Sequence, residues 1–338
     1  MTRHDLKVST LAKAAVCTLV LAATGTAMAA DQVRLRLNWM WYGSHAPFAL
    51  GLDKGFYKDA GIDLNIRSGN GSGSAHRLVA NGDSTFSYGS CAGLVNLAAK
   101  GAPLVSVAVI DAMGSEAVIV RPNAGISKIA DLKGKKILTT ANAGVNIFFP
   151  LVLKNAGLSE SDVSVTNVPD GALVSGYLQA AGGAVGMLGG LDDKPSEIRA
   201  AGGANPIVFP YSDFGVNQVG YCIVVAKKTL AEKPDMVRRF VAATVKAYKA
   251  AEADPQSSVN AVGDIVGGTM NEDAGKKQTL EVQAVTMGIL YSKANTRKVL
   301  GLHVASDWSD MFGLMKKYNG LETDLPATAF YTNDYLPK

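Results

Sequence analysis

Aromatic residues are concentrated in one short segment of the sequence, residues 37–45. Trp39, Trp41 and Tyr42 lie within four residues, although aromatic residues make up only 7% of the chain, and His45 follows soon after. An aromatic face can stack on a flat ring, and an imidazole can donate or accept a hydrogen bond. The segment therefore predicts either a site for a flat solute or a packed aromatic core.

The sequence lacks the motifs that mark the common enzyme and metal-site families. It has no P-loop, no G-x-S-x-G nucleophile elbow, no C-x-x-C pair and no H-E-x-x-H helix. In the glycine-rich run 69–74, Ser74 stands where the last glycine of a dinucleotide loop belongs. We expect no catalytic residue, no bound metal and no cofactor; a triad assembled from scattered residues is the open alternative.

Strand-like and helix-like segments alternate along the chain. Strands are predicted at Val33–Trp39 and Pro103–Ile110, with helical spacing over 46–61. This rhythm is typical of a mostly parallel sheet covered by helices, and it restarts near Glu116. The fold class is therefore α/β, with two units. The second unit can be inserted into the first through strands at Glu116–Val120 and Tyr221–Ala226, or two domains can follow one another. Long C-terminal helices are expected over 233–254, 255–267 and 272–291.

Short polar residues cluster in the loops that follow the predicted strands. Ligands bind at the C-terminal ends of strands in open α/β sheets, where helix N-termini offer free N–H groups. Turn-making and helix capping are the alternative role for each such residue. His45 can bind a ligand or cap a helix, Asp213 can bind a ligand or form a hinge turn, and Trp41 is expected to pack. The further ligand-binding candidates are Ser72, Gly73, Ser74, Tyr88, Ser90, Asn142, Gly144, Asn146, Gly189 and Asp192.

The first 29 residues have the features of a secretory signal peptide. Arg3, Lys7 and Lys13 form a basic start, 14–24 is a short apolar run, and Ala-Met-Ala ends at Ala29. Cleavage after Ala29 and a periplasmic location are expected. Removing three bases and one acid lowers the net charge from +4 to about +2, which gives no basic footprint for nucleic acid.

Two cysteines lie beyond the signal peptide, Cys91 and Cys222. A pair separated by 131 residues is not the dense framework of a small disulfide-stabilised domain. Because free cysteine is among the most buried residue types, the sequence favours two small buried side chains over a bridge.

An ordered series of segments resembles a known family. The series runs from "LNW" and "HAPFALGLDKGFYKDAGIDLNI", through "LVANGDSTFSYGS" and "GISKIADLKGKKI", to "FGVNQVGYCIVVAKKTLAEKPDMVRRF". It covers about Val33 to Pro255 and is similar to the NMT1/THI5-like solute-binding proteins, relatives of the alkylsulfonate and taurine binding proteins of ABC importers.

The resemblance implies a type II periplasmic-binding-protein fold, in which two crossover strands join two α/β lobes and a ligand cleft lies between them. The expected divisions are a signal peptide over 1–29, lobe 1 over 30–118 and 222–338, and lobe 2 over 119–221. The implied partners are a small-molecule solute and the permease of an ABC importer in the inner membrane, with the protein acting as a monomer.

The resemblance also assigns roles in the cleft. Many family members bind aminopyrimidine precursors of thiamine, whose ring stacks on the tryptophan of the L-x-W segment; that position is Trp39 here, with Asn38 beside it. The family's Gly-Gly-aromatic…Glu stretch aligns with residues 189–195, where Leu191 and Pro195 replace the aromatic residue and the acid. Asp192 or Asp193 is the available substitute acid.

Other ligands and one other activity remain open. Phthalate-like aromatic acids or alkylsulfonates would rely on helix N-termini, and phthalate-like acids fit both a tryptophan platform and N–H donors. Some relatives are enzymes that form the pyrimidine with a reactive histidine and a cysteine-rich motif, and this chain has no such cysteine cluster.

Overall fold

Two five-stranded sheets form the framework of the protein. The computed structural model describes residues 1, 29–141 and 143–338. The strand order is β2-β1-β3-β10-β4 in the first sheet and β7-β6-β8-β5-β9 in the second. The strands are β1 (Asp31–Arg36), β2 (Ile62–Arg67), β3 (Phe86–Ser90), β4 (Leu104–Asp111), β5 (Glu116–Val120), β6 (Lys136–Thr139), β7 (Ser164–Asn167), β8 (Ala184–Gly190), β9 (Ile207–Pro210) and β10 (Tyr221–Ala226).

One antiparallel strand runs through each otherwise parallel sheet. β10 lies between β3 and β4 and pairs antiparallel with both. β5 lies between β8 and β9 in the same manner. The chain therefore leaves the first sheet after β4, builds the second sheet with β5–β9, and returns through β10. The nested arrangement expected from the sequence is the one the structure has.

The sheet pairing corrects both expected lobe boundaries. A boundary after residue 118 would divide β5, yet all of β5 pairs within the second sheet. A boundary after 221 would divide β10, yet Tyr221 already pairs with Ser90 and Asp111 of the first sheet. The lobes therefore change within 112–115 and 211–220, where the chain is not part of a sheet.

Helices cover both sheets, and the long ones lie in the C-terminal part. The helix expected over 46–61 is interrupted because Gly55 adopts a left-handed backbone with φ of 69°, which suits glycine. The helices are α1 (Ala46–Asp53), α2 (Phe56–Asp59), α3 (Ser72–Ala80), α4 (Cys91–Ala99), α5 (Phe149–Asn155), α6 (Leu173–Leu178), α7 (Lys194–Ala200), α8 (Lys227–Glu232), α9 (Pro234–Ala253), α10 (Pro255–Val266), α11 (Asp273–Gly288) and α12 (Ala305–Tyr318).

An aromatic stack joins the first sheet to α9. The rings of Phe86 and Phe240 lie nearly parallel with centroids 4.0 Å apart, and the Tyr57 ring also stacks on Phe240, at 5.7 Å. All three side chains are fully buried. α9 therefore returns the C-terminal part of the chain to the first lobe, as the sequence predicts.

Cys91 and Cys222 form a disulfide, with their Cα atoms 5.5 Å apart. The sequence predicted two buried cysteines with no bridge between them. The predicted burial is correct, and the predicted absence of a bridge is wrong. The reason is topological: the start of α4 packs directly against β10, and Cys91 N–H donates to the Gly220 carbonyl oxygen at 2.9 Å. The spacing of the two cysteines in the sequence does not indicate that the start of α4 and β10 lie in contact.

Two buried histidines are held by hydrogen bonds within the first lobe. His76 contacts Ser87 Oγ at 2.9 Å, and His303 contacts Ser106 Oγ at 2.7 Å. Burial lowers the pKa of His76 to about 4, and burial lowers the pKa of His303 to about 4 as well. Both imidazoles are therefore neutral at ordinary pH.

The predicted signal peptide, with its cleavage site, falls almost wholly on residues 2–28, outside the described residues. Within 29–141 and 143–338, no helix combines the length and the apolar character needed to cross a membrane.

Replacing Phe240 by alanine is expected to lower the free energy of unfolding by about 3–5 kcal/mol, because the change removes both stacked contacts and leaves a cavity. Urea unfolding followed by circular dichroism measures the loss. Leu325→Ala is the control, since Leu325 is 46% exposed and should change stability by less than about 0.5 kcal/mol. Equal effects of the two substitutions would contradict this account of the core.

Candidate ligand-binding site

A cavity lies between the two sheets, at the ends of strands from both lobes. Its volume is about 50 Å³, well below the roughly 300–1,000 Å³ of sites that hold drug-sized ligands. The lobes are therefore closed on each other. The lining residues are Asn38, Trp39, Tyr42, Gly71, Ser72, Thr140, Ala143, Gly144, Val145, Leu173, Leu188, Gly189, Gly190, Asp192, Asp193, Lys194 and Tyr221.

The first lobe contributes Asn38 and Trp39 from the turn after β1. That turn is held by the next loop, where Gly69 N–H donates to the Trp39 carbonyl oxygen at 2.9 Å and Gly71 N–H donates to that of Asn38 at 2.7 Å. A Cβ atom at Gly69 would lie 1.8 Å from the Leu37 carbonyl oxygen, so only glycine fits. The half-buried Trp39 ring is thereby fixed at the cavity wall.

Ser72 stands at the start of α3, beside the same wall. The residue before it, Gly71, has φ of 90° and provides no side-chain cap, so the first N–H groups of α3 keep no side-chain acceptor. The lobe 1 wall therefore offers three aromatic side chains, those of Trp39, Tyr42 and Tyr221, beside the N–H groups at the start of α3.

The second lobe contributes the loop after β6. Thr140 is 5% exposed, lines the cavity, and its Oγ1 has no hydrogen-bond partner. Gly144 packs on Ser90 of the other lobe, and a Cβ atom at Gly144 would lie 3.2 Å from Ser90 Cβ. A glycine at this position lets the two lobes come close together.

Asp192, Asp193 and Lys194 follow β8 and form the charged part of the wall. They are the charged residues among the described lining residues. Lys194 Nζ is 2.8 Å from Asp193 Oδ2 and 2.8 Å from Glu197 Oε2, and lies 5.9 Å from the Trp39 ring centroid. Burial opposes the charge of Lys194, but Asp193 and Glu197 outweigh it and raise the pKa of the ammonium.

Asp192 has the hydroxyl partners Ser44 and Ser115 but, among the residues that the structure describes, no ion-pair partner. Ser44 Oγ donates to Asp192 Oδ2 at 3.0 Å, and the carboxyl is 4% exposed. Burial, reinforced by the neighbouring Asp193 carboxylate, raises the pKa of Asp192 to about 7. The protein thus holds a carboxyl at the cavity wall that is costly to ionise without a ligand.

Two further buried carboxyls, those of Glu116 and Asp111, lie near Tyr221, the lining residue that begins β10. We call this end of the cavity its floor. Burial raises the pKa of Glu116 to about 7, and Asp192 contributes to the rise. Burial also raises the pKa of Asp111, which accepts a 2.6 Å hydrogen bond from Tyr88. The electrostatic potential at the floor is therefore negative once these groups ionise.

The structure brings seven of the predicted site residues to the cavity wall: Asn38, Trp39, Tyr42, Ser72, Gly144, Gly189 and Asp192. Three others lie just behind it. His45 donates from Nε2 to Asn38 Oδ1 at 2.8 Å and does not cap α1; burial lowers its pKa to about 3. Tyr88 is fully buried against Asp111, and Ser90 caps α4 by accepting from Gly93 N–H at 3.2 Å.

The remaining predicted residues do not line the cavity. Gly73 and Ser74 are the second and third residues of α3, and Ser74 contacts Arg77. Asn146 turns back to its own strand, where it accepts from Thr139 Oγ1 at 2.6 Å. Asp213 is exposed in a turn after β9, on the way to the return crossover. Asn142 lies outside the described residues.

Sequence reasoning missed several lining residues. Lys194 and Tyr221 were not among the predicted site residues. Tyr221 begins the predicted crossover strand Tyr221–Ala226, and Lys194 directly follows the two aspartates considered as the substitute acid. Gly71, Thr140, Ala143, Val145 and Gly190 belong to loops from which other residues were selected, and Asp193 was named only as the alternative to Asp192 for the substitute acid. The sequence feature that could have identified Lys194 is its position directly after two aspartates at the end of a strand. No sequence feature marked Leu173 or Leu188 as lining residues.

The structure shows where Trp41 and Leu191 lie. Trp41 packs on core residues of the first lobe, as expected, and is not part of the cavity wall. Leu191, at the family's aromatic position, packs on the core of the second lobe. Among the described residues, no group of three or more His, Cys, Asp and Glu side chains is arranged to hold a metal ion.

Two nested α/β lobes, each entered by one antiparallel strand and facing a shared cleft, define the class: the protein has the periplasmic-binding-protein fold of type II. The family model described as NMT1/THI5 like matches residues 43–258. That is more than half of the chain, so the protein belongs to the NMT1/THI5-like family, as the sequence series indicated.

Individual relatives are distant but match over most of their length. A Brucella abortus (strain 2308) protein described as a binding protein is 25% identical over 314 residues, covering 91% of this chain and 92% of its own. A 4-amino-5-hydroxymethyl-2-methylpyrimidine phosphate synthase of Saccharomyces cerevisiae is 25% identical over 324 residues, covering 91% and 89%. The solved alkanesulfonate-binding protein SsuA of Xanthomonas axonopodis, bound to MOPS, superposes with a TM-score of 0.67 at 13% identity, covering 89% and 98%.

Asp192→Asn is expected to stabilise the ligand-free protein at pH 8 by about 2–4 kcal/mol, with the gain shrinking as the pH falls towards 4. The folded-state pKa of about 7 lies above the model value of 3.8, so ionisation of Asp192 costs stability as the pH rises through this window. Asp193, Glu116 and Asp111 strengthen the effect.

Urea unfolding of both proteins at several pH values measures the difference. Asp59→Asn, on the exposed surface, is the matched control and should give a difference near zero at each pH. A stability difference for Asp192→Asn that does not change with pH would contradict the proposed ionisation.

Proposed function

We propose that the protein is the periplasmic solute-binding component of an ABC importer, and that it captures a small, flat heteroaromatic solute of the thiamine-precursor aminopyrimidine type. The observation that carries the proposal is the pairing of the Trp39 ring with the buried, cation-free Asp192 carboxyl in one interlobe cavity. The aminopyrimidine named in the yeast relative has the flat ring and the amino donors that such a pair would accept.

Each wall of the cavity supplies one part of the recognition. Stacking on Trp39 would remove a ring face from water, which is worth about 1–3 kcal/mol per ring in nucleobase-binding proteins. An amino group or a protonated ring nitrogen would give Asp192 its missing partner, and hydrogen bonds to charged groups are worth about 1.5–3 kcal/mol. Thr140 Oγ1, buried and without a partner, is available to a further polar group of the solute.

The charges of the cavity argue against anionic ligands. Lys194 is the single cation among the described lining residues, and Asp193 and Glu197 already pair with it. A phthalate or alkylsulfonate would have to sit beside Asp192 without a free cation. The N-terminus of α3 offers N–H donors to an anion, but it does not balance two carboxylates.

Capture requires the lobes to separate and close again. The closed cavity of about 50 Å³ is too small for a pyrimidine with its substituents to enter without movement. The two crossover segments, 112–115 and 211–220, are the hinge about which the lobes would turn. A closed, loaded form would then be the one that the importer permease recognises, and the signal peptide would deliver the protein, as a monomer, to the periplasm.

The function is tested with 4-amino-5-hydroxymethyl-2-methylpyrimidine, phthalate and ethanesulfonate as separate probes in thermal-shift measurements on the mature protein. A ligand at about 100 times its Kd adds about 2.7 kcal/mol to stability. The pyrimidine should raise the melting temperature, and mass spectrometry should recover it unchanged. A shift with phthalate or ethanesulfonate alone would replace the proposed ligand class, and chemical conversion of the pyrimidine would indicate an enzyme.

Trp39→Ala is expected to weaken pyrimidine binding by roughly 5- to 150-fold, which corresponds to losing about 1–3 kcal/mol of stacking. Isothermal titration calorimetry measures the change. Trp41→Ala is the matched control, because Trp41 is two residues away and packs on the core instead of the cavity. It should lower stability but leave Kd within about twofold; unchanged binding in Trp39→Ala would remove Trp39 from the site.

A further inference from the structure

A serine of the first lobe reaches the charged wall of the second. Ser44 follows β1, is fully buried, and donates from Oγ to Asp192 Oδ2 at 3.0 Å. It is not part of the cavity wall, so its hydroxyl does not face a ligand. The contact exists only while the lobes are closed, because Ser44 belongs to the first lobe and Asp192 to the second.

A second hydroxyl stands behind Ser44. Thr286 Oγ1, on α11, lies 2.6 Å from Ser44 Oγ and 3.1 Å from the Val282 carbonyl oxygen. Each hydroxyl has one proton to donate. When Ser44 donates to Asp192, Thr286 can donate to Ser44. When Asp192 moves away, Ser44 can donate to Thr286, and Thr286 to the Val282 carbonyl.

The three groups therefore have two complete hydrogen-bond arrangements, one for each position of the lobes. In the open arrangement Ser44 and Thr286 remain paired within the first lobe, so neither hydroxyl is left buried without a partner. In the closed arrangement Thr286 donates a hydrogen bond to Ser44, and Ser44 donates one to the Asp192 carboxyl. A buried hydroxyl that lost its partner would be destabilising, and these two arrangements avoid that loss.

We propose that Ser44, supported by Thr286, is a positioning residue that fixes the Asp192 carboxyl for the solute and favours lobe closure around it. The proposal rests on the function proposed above. Ser44 occupies one lone-pair direction of the carboxylate and leaves others for a solute donor. Binding and closure therefore act on the same carboxyl group, from opposite sides.

An exposed ion pair also joins the two lobes, and it is weaker evidence for a closure contact. Arg199 and Glu281 form an ion pair at 2.7 Å between α7 and α11, but their side chains are 41% and 39% exposed. Exposed pairs of this kind contribute little to stability, because both charges stay in water. The Ser44–Asp192 contact, by contrast, is buried.

The test measures lobe separation directly in the mature protein. Spin labels at Lys58→Cys in the first lobe and Glu160→Cys in the second, both exposed positions, report the interlobe distance by pulsed EPR. In ligand-free protein, Ser44→Ala should shift the distance distribution towards the open form. Ser106→Ala is the matched control: it also removes a fully buried serine hydroxyl of the first lobe, one that contacts His303, and should leave the distribution unchanged.

The binding arm uses the pyrimidine probe. Ser44→Ala should raise its Kd about tenfold, and Ser106→Ala should leave it unchanged. An unaltered distance distribution in Ser44→Ala overturns the proposal, whatever its affinity. If no probe binds wild-type protein, the proposed function fails, while the EPR result still decides the role of Ser44. Should Ser44→Ala not fold, Thr286→Val takes its place, with a smaller shift towards the open form expected and no shift overturning the proposal.

Discussion

The chain passes between its two sheets twice, and each passage ends in a strand that runs antiparallel through the interior of a sheet. β5 and β10 both begin beside the cleft, where Glu116 pairs with Gly190 and Tyr221 pairs with Ser90. Neither strand can leave its sheet without breaking two ladders, so relative motion of the lobes is confined to the short segments before them. Because of this constraint, the residues at the floor of the cavity lie directly beside the hinge segments.

Much of the fold follows from local sequence patterns. The return strand at Tyr221–Ala226 and the helices of the C-terminal part are strongly patterned, and the structure has them within one to three residues of their predicted ends. The break at Gly55 was missed because the apolar spacing continues across it, and spacing does not register a single left-handed residue. The lobe boundaries were off by a few residues because a strand's sheet is decided by long-range pairing.

The site was predictable at the level of loops but not of side-chain directions. Loops after strands were identified correctly as the cleft edge, since that location follows from α/β topology. Asn146 and Asp193 show the limit: both are short polar residues in such loops, yet Asn146 turns to Thr139 while Asp193 lines the cavity and pairs with Lys194. The choice depends on the tertiary partner, as it does for the Cys91–Cys222 bridge.

The buried histidines and the buried carboxyls of the protein have opposite effects on its stability in mild acid. Below about pH 6.5 the unfolded chain gains protons at His45, His76 and His303 that the folded protein refuses, which favours unfolding. Over much of the same range the folded protein keeps protons on Glu116 and Asp192 that the unfolded chain has released, which favours folding. The two effects on stability therefore have opposite signs in mild acid. Protonation of Glu116 and Asp192 over the same range makes the cleft less negative, so the charge that the cleft presents to a ligand depends on pH.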